Sequence, residues 1–482
     1  MRLQVRLISS LCEGRHACRT PLHEGSVEAS KRIRAGCNQQ VRKFRLLGRR
    51  RTRMSGIVSV SDIDRILTKH DHWRGQCLNL IAAENIASPT VRRYLSCDFG
   101  GRYPTYGDDP AERNYRGSRF MAEMEIAALE LAKRVYTAEF VDFRPLGGEM
   151  AGVAVILGLV NAGDTVFETG RAFGGHRVAG RLVSANALRD LFCVEDIPYD
   201  PETYDVDVQA MIEKMLRLRP KLVILGRARI LFPETIEPLR AVADEIGAYL
   251  AYDFSHINGL VAGKAFPNPL EQGVDVVMGS HHKSLPGPQG GLYLTRREDI
   301  YHKVRRGLYP PLVTNHHLER APALAATYLE MLEFGEAYAA QVVRNSAALG
   351  KALYDMGLEA LYSERGFSRS HQVLVDVDKF GGGEEVSKLL EQANIITGPA
   401  AIPKDLTGDG KFASGIRLGT QELTRIGAVE GDLEKVASLI HRVLVEGSHP
   451  SSVVQEVADF VAQFRELKFC FDKSVHPYES IF

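Results

Sequence analysis

The stretch Ala248-Tyr249-Leu250-Ala251-Tyr252-Asp253-Phe254-Ser255-His256 reads as a buried strand that stops on a carboxylate. Thirty residues after Asp253 comes Lys283, in His281-His282-Lys283-Ser284, directly before the turn Pro286-Gly287-Pro288-Gln289-Gly290-Gly291. Between them lies a second apolar run, Val274-Asp275-Val276-Val277-Met278. Upstream, short apolar runs at Val166-Phe167 and Leu222-Val223-Ile224-Leu225 alternate with helix-like segments at 207–216 and 238–246. This rhythm predicts an α/β fold with a large, mostly parallel sheet and chemistry at the carboxyl ends of its strands.

At such an end, a lysine between a strand and a Gly/Pro turn is placed to form a Schiff base. An Asp ending the neighbouring strand is placed to hold a protonated pyridine nitrogen. Each residue alone is commonplace; their order and spacing, with His256 three residues after Asp253, describe a pyridoxal phosphate (PLP) site. Arg144-Pro145-Leu146-Gly147-Gly148-Glu149 precedes an apolar helix at 153–160. A glycine turn at a helix start offers free N–H groups to a phosphate, although an ordinary tight turn reads the same way. His176, in Gly174-Gly175-His176, either stacks on a planar cofactor or sits in a surface loop. Arg417, in Ser414-Gly415-Ile416-Arg417-Leu418-Gly419, is either a two-pronged carboxylate clamp or half of a structural ion pair. Glu84, after Leu78-Asn79-Leu80-Ile81, acts as a general acid/base if burial raises its pKa.

With 482 residues, 45% apolar and 25% charged, the chain has an ordinary globular composition and room for two or three packed units. No apolar run approaches the ~20 residues of a membrane span. Seven scattered cysteines show no metal-ligand spacing and suit a reducing cytoplasm better than a disulfide framework. The zero net charge hides a block: residues 1–53 carry fourteen Lys/Arg against three Asp/Glu, or +11. An organellar transit peptide, a nucleic-acid tail and an extension upstream of Met54 all match it. The reading adopted is a disordered basic extension over 1–53 with no part in the chemistry. A helical segment follows over 54–100, with Ile63, Ile66 and Leu67 at helical spacing. A PLP-binding α/β domain is expected over 101–335, including an irregular functional loop from Gly100 to Ser118 and a helix over 121–136. A smaller C-terminal α+β domain is expected over 336–482.

Together these segments carry a resemblance. Ala83-Glu84-Asn85 with Ser88, Arg113-Asn114-Tyr115-Arg116-Gly117, Gly174-Gly175-His176, Asp253-Phe254-Ser255-His256, His282-Lys283-Ser284-Leu285 and Ser414-Gly415-Ile416-Arg417-Leu418-Gly419-Thr420 resemble the serine hydroxymethyltransferases, fold-type I PLP enzymes, over nearly all of 61–440. The style is that of archaeal hydroxymethyltransferases and L-threonine transaldolases. The resemblance implies that Lys283 carries PLP, Asp253 pairs with the ring nitrogen, His176 stacks on the ring and His256 touches its phenolic oxygen. Arg417 would hold the amino-acid carboxylate, and Glu84 would manage protons at the substrate hydroxyl. Tyr103 and Tyr115 would line the site from a neighbouring subunit of a homodimer or tetramer.

Departures from the family pattern matter as much. Gly147-Gly148-Glu149 stands where a Ser-Gly-Ser phosphate cradle is usual, Gln289 where an Arg is usual, and Ala400 where an Asn meets the folate pterin. The expected function is therefore aldol-type transfer on β-hydroxy-α-amino acids. Cα–Cβ of L-threonine or L-serine is cleaved and the glycyl carbanion passes to an aldehyde. Hydroxymethyl transfer with tetrahydrofolate or a related pterin is the alternative. A remote third is a non-catalytic RNA-binding or scaffold protein, against which the intact Lys283, Asp253 and Arg417 argue. No metal site, no membrane partner and no nucleic-acid partner are expected.

Overall fold

The apolar runs become strands because both of their faces are covered. In the computed structural model, which describes residues 59–185, 188, 190–407, 413–473 and 476–478, seven of them form one sheet. They are β1 (Phe140–Asp142), β2 (Thr165–Thr169), β3 (Cys193–Ile197), β4 (Leu222–Leu225), β5 (Tyr249–Asp253), β6 (Val276–Ser280) and β7 (Gly291–Thr295). Their order is β1-β7-β6-β5-β4-β2-β3. The pairs from β6 through β3 are parallel, while β7 is antiparallel to both neighbours. Side chains alternate between two cores: Val223, Leu225, Leu250, Tyr252 and Val277 face one, and Leu222, Ile224, Ala251, Val276 and Met278 the other. Burial on both sides is why these strands read as continuous apolar runs rather than as an alternation.

The flanking helices include α1 (Arg119–Tyr136), α2 (Gly148–Leu159), α3 (Val208–Leu218), capped by Asp207, and α4 (Glu237–Ile246). The segments read at 121–136, 207–216 and 238–246 lie on these within a few residues at either end, and the helical spacing of Ile63, Ile66 and Leu67 falls in a further helix, Val60–Arg74. The exception is α2, which starts five residues earlier than expected because glycines carry its first turn. The segment 100–118 is irregular except for a short turn at Asp98–Gly101 and a single bridge between Tyr106 and Arg113.

Further on, β8 (Glu359–Ala360), β9 (Gln372–Asp376), β10 (Gly398–Ala400) and β11 (Gly415–Gly419) form a second sheet in the order β8-β9-β11-β10, all antiparallel. Residue 335, where the sequence pattern changes, lies inside one 36-residue helix, Arg320–Asp355. The expected domain boundary at 335/336 thus falls inside a continuous helix, which in the chain lies between the two sheets. From Leu67 onward the chain is one compact unit holding both sheets. The basic block 1–53 lies outside the described residues. Among the described residues, no helix is long and apolar enough to cross a membrane, and no three His, Cys, Asp or Glu side chains are grouped to hold a metal.

Candidate active site

The chain runs out to the edge strand β3, then returns to lay β4 beside β2. Loops at the carboxyl ends of β2 and β4 therefore leave in opposite directions and open a crevice, the place where such sheets bind ligands. A cavity of about 250 Å³ lies there, lined among others by Gly147, Gly148, His176, Ala228, Asp253, His256 and Lys283. The thirty residues between Asp253 and Lys283 are thus one strand-to-strand excursion that returns to the same end of the sheet. Gly226 makes the turn after β4 at φ +87°, and a Cβ there would meet the Asp253 carbonyl oxygen at 2.2 Å. Only glycine fits so close an approach in that backbone region.

Electrostatics follow from burial. Burial pushes the Lys283 amine below its ordinary value; Arg417 adds to the shift and Asp253 opposes it. A lysine so shifted is more often the neutral nucleophile that attacks a carbonyl. Asp253 accepts the Ser255 N–H at 2.9 Å. Burial, then the charges of Lys283 and Arg417, hold His256 well below the usual imidazole range. Its neutral Nδ1 accepts from Gln372 Nε2 at 3.1 Å, and its ring stacks on His371 with centroids 5.6 Å apart and planes 13° from parallel.

The glycine turn is a cradle. Gly147 precedes α2 with no side-chain cap, which leaves the first-turn N–H groups available. A Cβ on Gly148 would lie 2.6 Å from Ser280 Oγ and 3.1 Å from Ser255 Oγ. The hydroxyls absent from 147–149 thus come from the ends of β5 and β6. Glu149 turns onto His176 Nε2, with which it makes a very short contact, and onto Arg181 Nη1 at 3.0 Å. Those partners hold its carboxyl below the usual range. A carboxylate beside a phosphate would repel it, and these two groups offset that charge. A free helix start flanked by hydroxyls, a buried lysine of lowered pKa and a strand-end carboxylate fit a flat, phosphate-bearing aldehyde such as PLP.

Arg417, on β11, donates from Nη1 to the Ala228 carbonyl, and no carboxylate pairs with it among the described residues. Burial, with Arg229 next, lowers it to about 10. The ion-pair reading of Arg417 therefore finds no partner there, and the clamp reading keeps its free donors.

Glu84 lies elsewhere. It lines a neighbouring chamber of about 690 Å³ with Arg74, Gln289, Glu422 and Tyr478, and His282 lines both spaces. Its side chain is 45% exposed and paired to Arg74 at 2.7 Å. The buried carboxyl of that chamber is Glu422, which burial pushes up to about 7 against the opposing charge of Arg74. Glu422 accepts from Tyr478 Oη at 2.9 Å, and Asn79 links Tyr478 to Arg74. Tyr103 and Tyr115 meet edge to face at 5.7 Å on the exposed loop, outside the Lys283 cavity.

Sequence reasoning missed Ser255, Ser280, Gln372, His371 and Glu422. The two serines were legible as hydroxyls at strand ends. Gln372 opens β9 of the second sheet and His371 directly precedes it, more than a hundred residues from His256, and no spacing links them.

A profile of the serine hydroxymethyltransferase family matches residues 58–440. The serine hydroxymethyltransferase of Methanopyrus kandleri is 40% identical over 426 residues, covering 88% of this chain and 98% of that one. That of Archaeoglobus fulgidus is 41% identical over 414 residues, covering 86% and 93%. Among solved structures, L-threonine transaldolase from Pseudomonas fluorescens in its internal aldimine state superposes with a TM-score of 0.78 at 27% identity, covering 91% of this chain and 96% of that one. A lysine and an aspartate at adjacent strand ends, seen first in the sequence, thus stand in a chain that belongs to the serine hydroxymethyltransferase family and is a PLP-dependent transferase of fold type I.

Proposed function

We propose that this enzyme transfers the glycyl unit of L-threonine, or L-serine, to an aldehyde acceptor, in the manner of a threonine transaldolase. One observation carries the choice. Ala400, at the place of the expected pterin contact, is 4% exposed and packed among Tyr204, Leu231, Phe232, Leu374 and Ile402. An apolar cluster offers a pterin no hydrogen bond, and each lost bond to a buried polar ligand group costs about 1–3 kcal/mol. The likeness to a threonine transaldolase supports the same reading; the names of the archaeal relatives support hydroxymethyl transfer to a pterin, the alternative.

PLP, when bound, supplies the electron sink for the carbanion left by Cα–Cβ cleavage. In this reading the α2 N–H groups with Ser255 and Ser280 hold its phosphate, and Asp253 keeps a proton on the ring nitrogen. His176, steadied by Glu149, packs on the ring, while neutral His256 approaches the phenolic oxygen. Lys283 would hold PLP through its amine and would be available there to accept or return a proton. Arg417 orients the substrate carboxylate, and Glu84, from the outer chamber, takes or returns the proton of the β-hydroxyl. Residues 101–335 would form the PLP-binding domain and 336–482 the smaller one. The enzyme would be cytoplasmic and a homodimer or tetramer, with the exposed Tyr103–Tyr115 pair facing a second copy.

The test incubates purified holoenzyme with threonine, with and without tetrahydrofolate and with and without an added aldehyde. Acetaldehyde release without any pterin, together with a new β-hydroxy amino acid, is expected. Fast serine–glycine exchange that requires the folate, with no aldol product, decides for the alternative.

A further inference from the structure

Arg417 has a second guanidinium near it, that of Arg229, whose charge is felt at Arg417; neither lines the Lys283 cavity itself, which Ala228 and His176 do. Arg229 follows Ala228, whose carbonyl accepts from Arg417, and it lies in the loop at the end of β4. Its Nη2 donates to the carbonyls of Arg171 and Ala172 at 2.6 and 3.0 Å, and its Nε is buried without an acceptor. The turn that leads to His176 packs directly on it: a Cβ on Gly174 would lie 2.9 Å from the Arg229 Cβ and backbone nitrogen. Arg229 therefore stands between the loop bearing His176 and the carbonyl that seats Arg417.

Two guanidinium groups so placed repel each other, and the arrangement costs free energy unless an anion answers it. The nearby carboxylates are engaged elsewhere. Glu149 is with His176 and Arg181, Glu234 with Arg227 at 3.0 Å, and Asp405 with the Ser414 hydroxyl and N–H. Among the described residues neither Arg229 nor Arg417 has a carboxylate partner. The α-carboxylate of an amino acid answers one of the pair and leaves the other.

We infer that Arg229 is a second anion-binding residue of the crevice, and that the aldehyde acceptor carries an anionic group, a carboxylate or a phosphate. This deepens the transfer reading and rests on it for the word acceptor, but the binding claim does not need turnover. An anionic acceptor seated on Arg229 would have its carbonyl brought toward the substrate carbon that Arg417 fixes.

Binding is tested first, by calorimetry on the holoenzyme with malonate, succinate and propionate. At least one dicarboxylate should bind ten times more tightly than propionate, and Arg229→Gln should remove most of that advantage. Equal binding of all three by the wild type, or an advantage that survives Arg229→Gln, overturns the inference whatever reaction the enzyme performs. Turnover is tested next, with threonine as donor and glyoxylate or glycolaldehyde as acceptor. The wild type should favour the anionic aldehyde in KM, Arg229→Gln should shrink that preference at least tenfold, and Arg229→Lys should restore part of it. A rise in KM for threonine as large as that for glyoxylate would put Arg229 on the amino-acid carboxylate and overturn the assignment. No aldol product from either aldehyde, with the binding result intact, sinks the transfer reading and leaves the anion site standing.

Discussion

The Lys283 cavity and the chamber beside it share His282 as a wall but are built in opposite ways. The inner cavity is assembled between residues 147 and 283, from strand ends of one sheet together with the start of α2 and the loop that bears His176. The outer chamber draws irregular backbone from both ends of the chain: Arg74 and Glu84 near the start, Gln289 in a turn, Glu422 and Tyr478 near the end. In the proposed reading the sheet end carries the cofactor chemistry, and irregular segments, free to vary without disturbing the sheet, shape the space for a second substrate. The departure at Gln289 falls in the outer chamber, whereas Ala400 lies apart from both spaces, buried on β10, and Lys283, Asp253 and His256 line the inner cavity.

The comparison is broken most severely at Lys283. Lys283→Ala should lower turnover by about three to four orders of magnitude with any second substrate, and abolish the borohydride-stable attachment of PLP, while the circular dichroism spectrum stays that of the wild type. Attachment to another lysine would remove Lys283 from its place. A smaller effect separates the two spaces. Arg417→Lys should raise KM for the amino acid roughly thirtyfold, an effect of about 2 kcal/mol, and leave KM for the aldehyde nearly alone. Equal rises in both would show that one group serves both spaces.

The smallest effect belongs to the outer chamber. Glu422 is raised from 4.5 to about 7 by burial, so the folded protein holds a proton that the unfolded chain has released between those values. Stability from this group is fully present below about pH 4.5 and is lost as pH rises through about 7. The loss is on the order of 3 kcal/mol at most. Glu422→Gln keeps an acceptor for Tyr478 but cannot ionise. The wild-type melting temperature should therefore fall by a few degrees relative to the variant between pH 5 and 8, with the two converging at low pH. Parallel curves across that range would show that Glu422 does not titrate there.

The strands of the large sheet were legible because burial on both faces writes itself into the sequence as uninterrupted apolar runs, and α3 was read within a few residues, while its Asp207 cap came from the structure. The glycine start of α2 was harder to read. Helix propensity argues against Gly147-Gly148, and only the approach of Ser280 and Ser255 explains why no side chain is tolerated at Gly148. Glu84 shows the opposite limit. An apolar run before it suggests burial, yet the following backbone brings it to a half-open chamber beside Arg74, and the burial falls to Glu422 instead.

By itself, then, the sequence determined the α/β class, the lysine and aspartate at adjacent strand ends, and PLP as the cofactor, because those depend on local periodicity and on a spacing of one strand-to-strand excursion. Tertiary structure alone decided which hydroxyls flank the cradle, that Glu149 answers to His176 and Arg181, that Gln372 bonds to His256, and that Arg229 and Arg417 have no carboxylate partner among the described residues. Each of these is a meeting of residues from separate strands, loops or sheets. The free energy of such a meeting depends on distance and burial in the folded chain, and no pattern along the sequence encodes it.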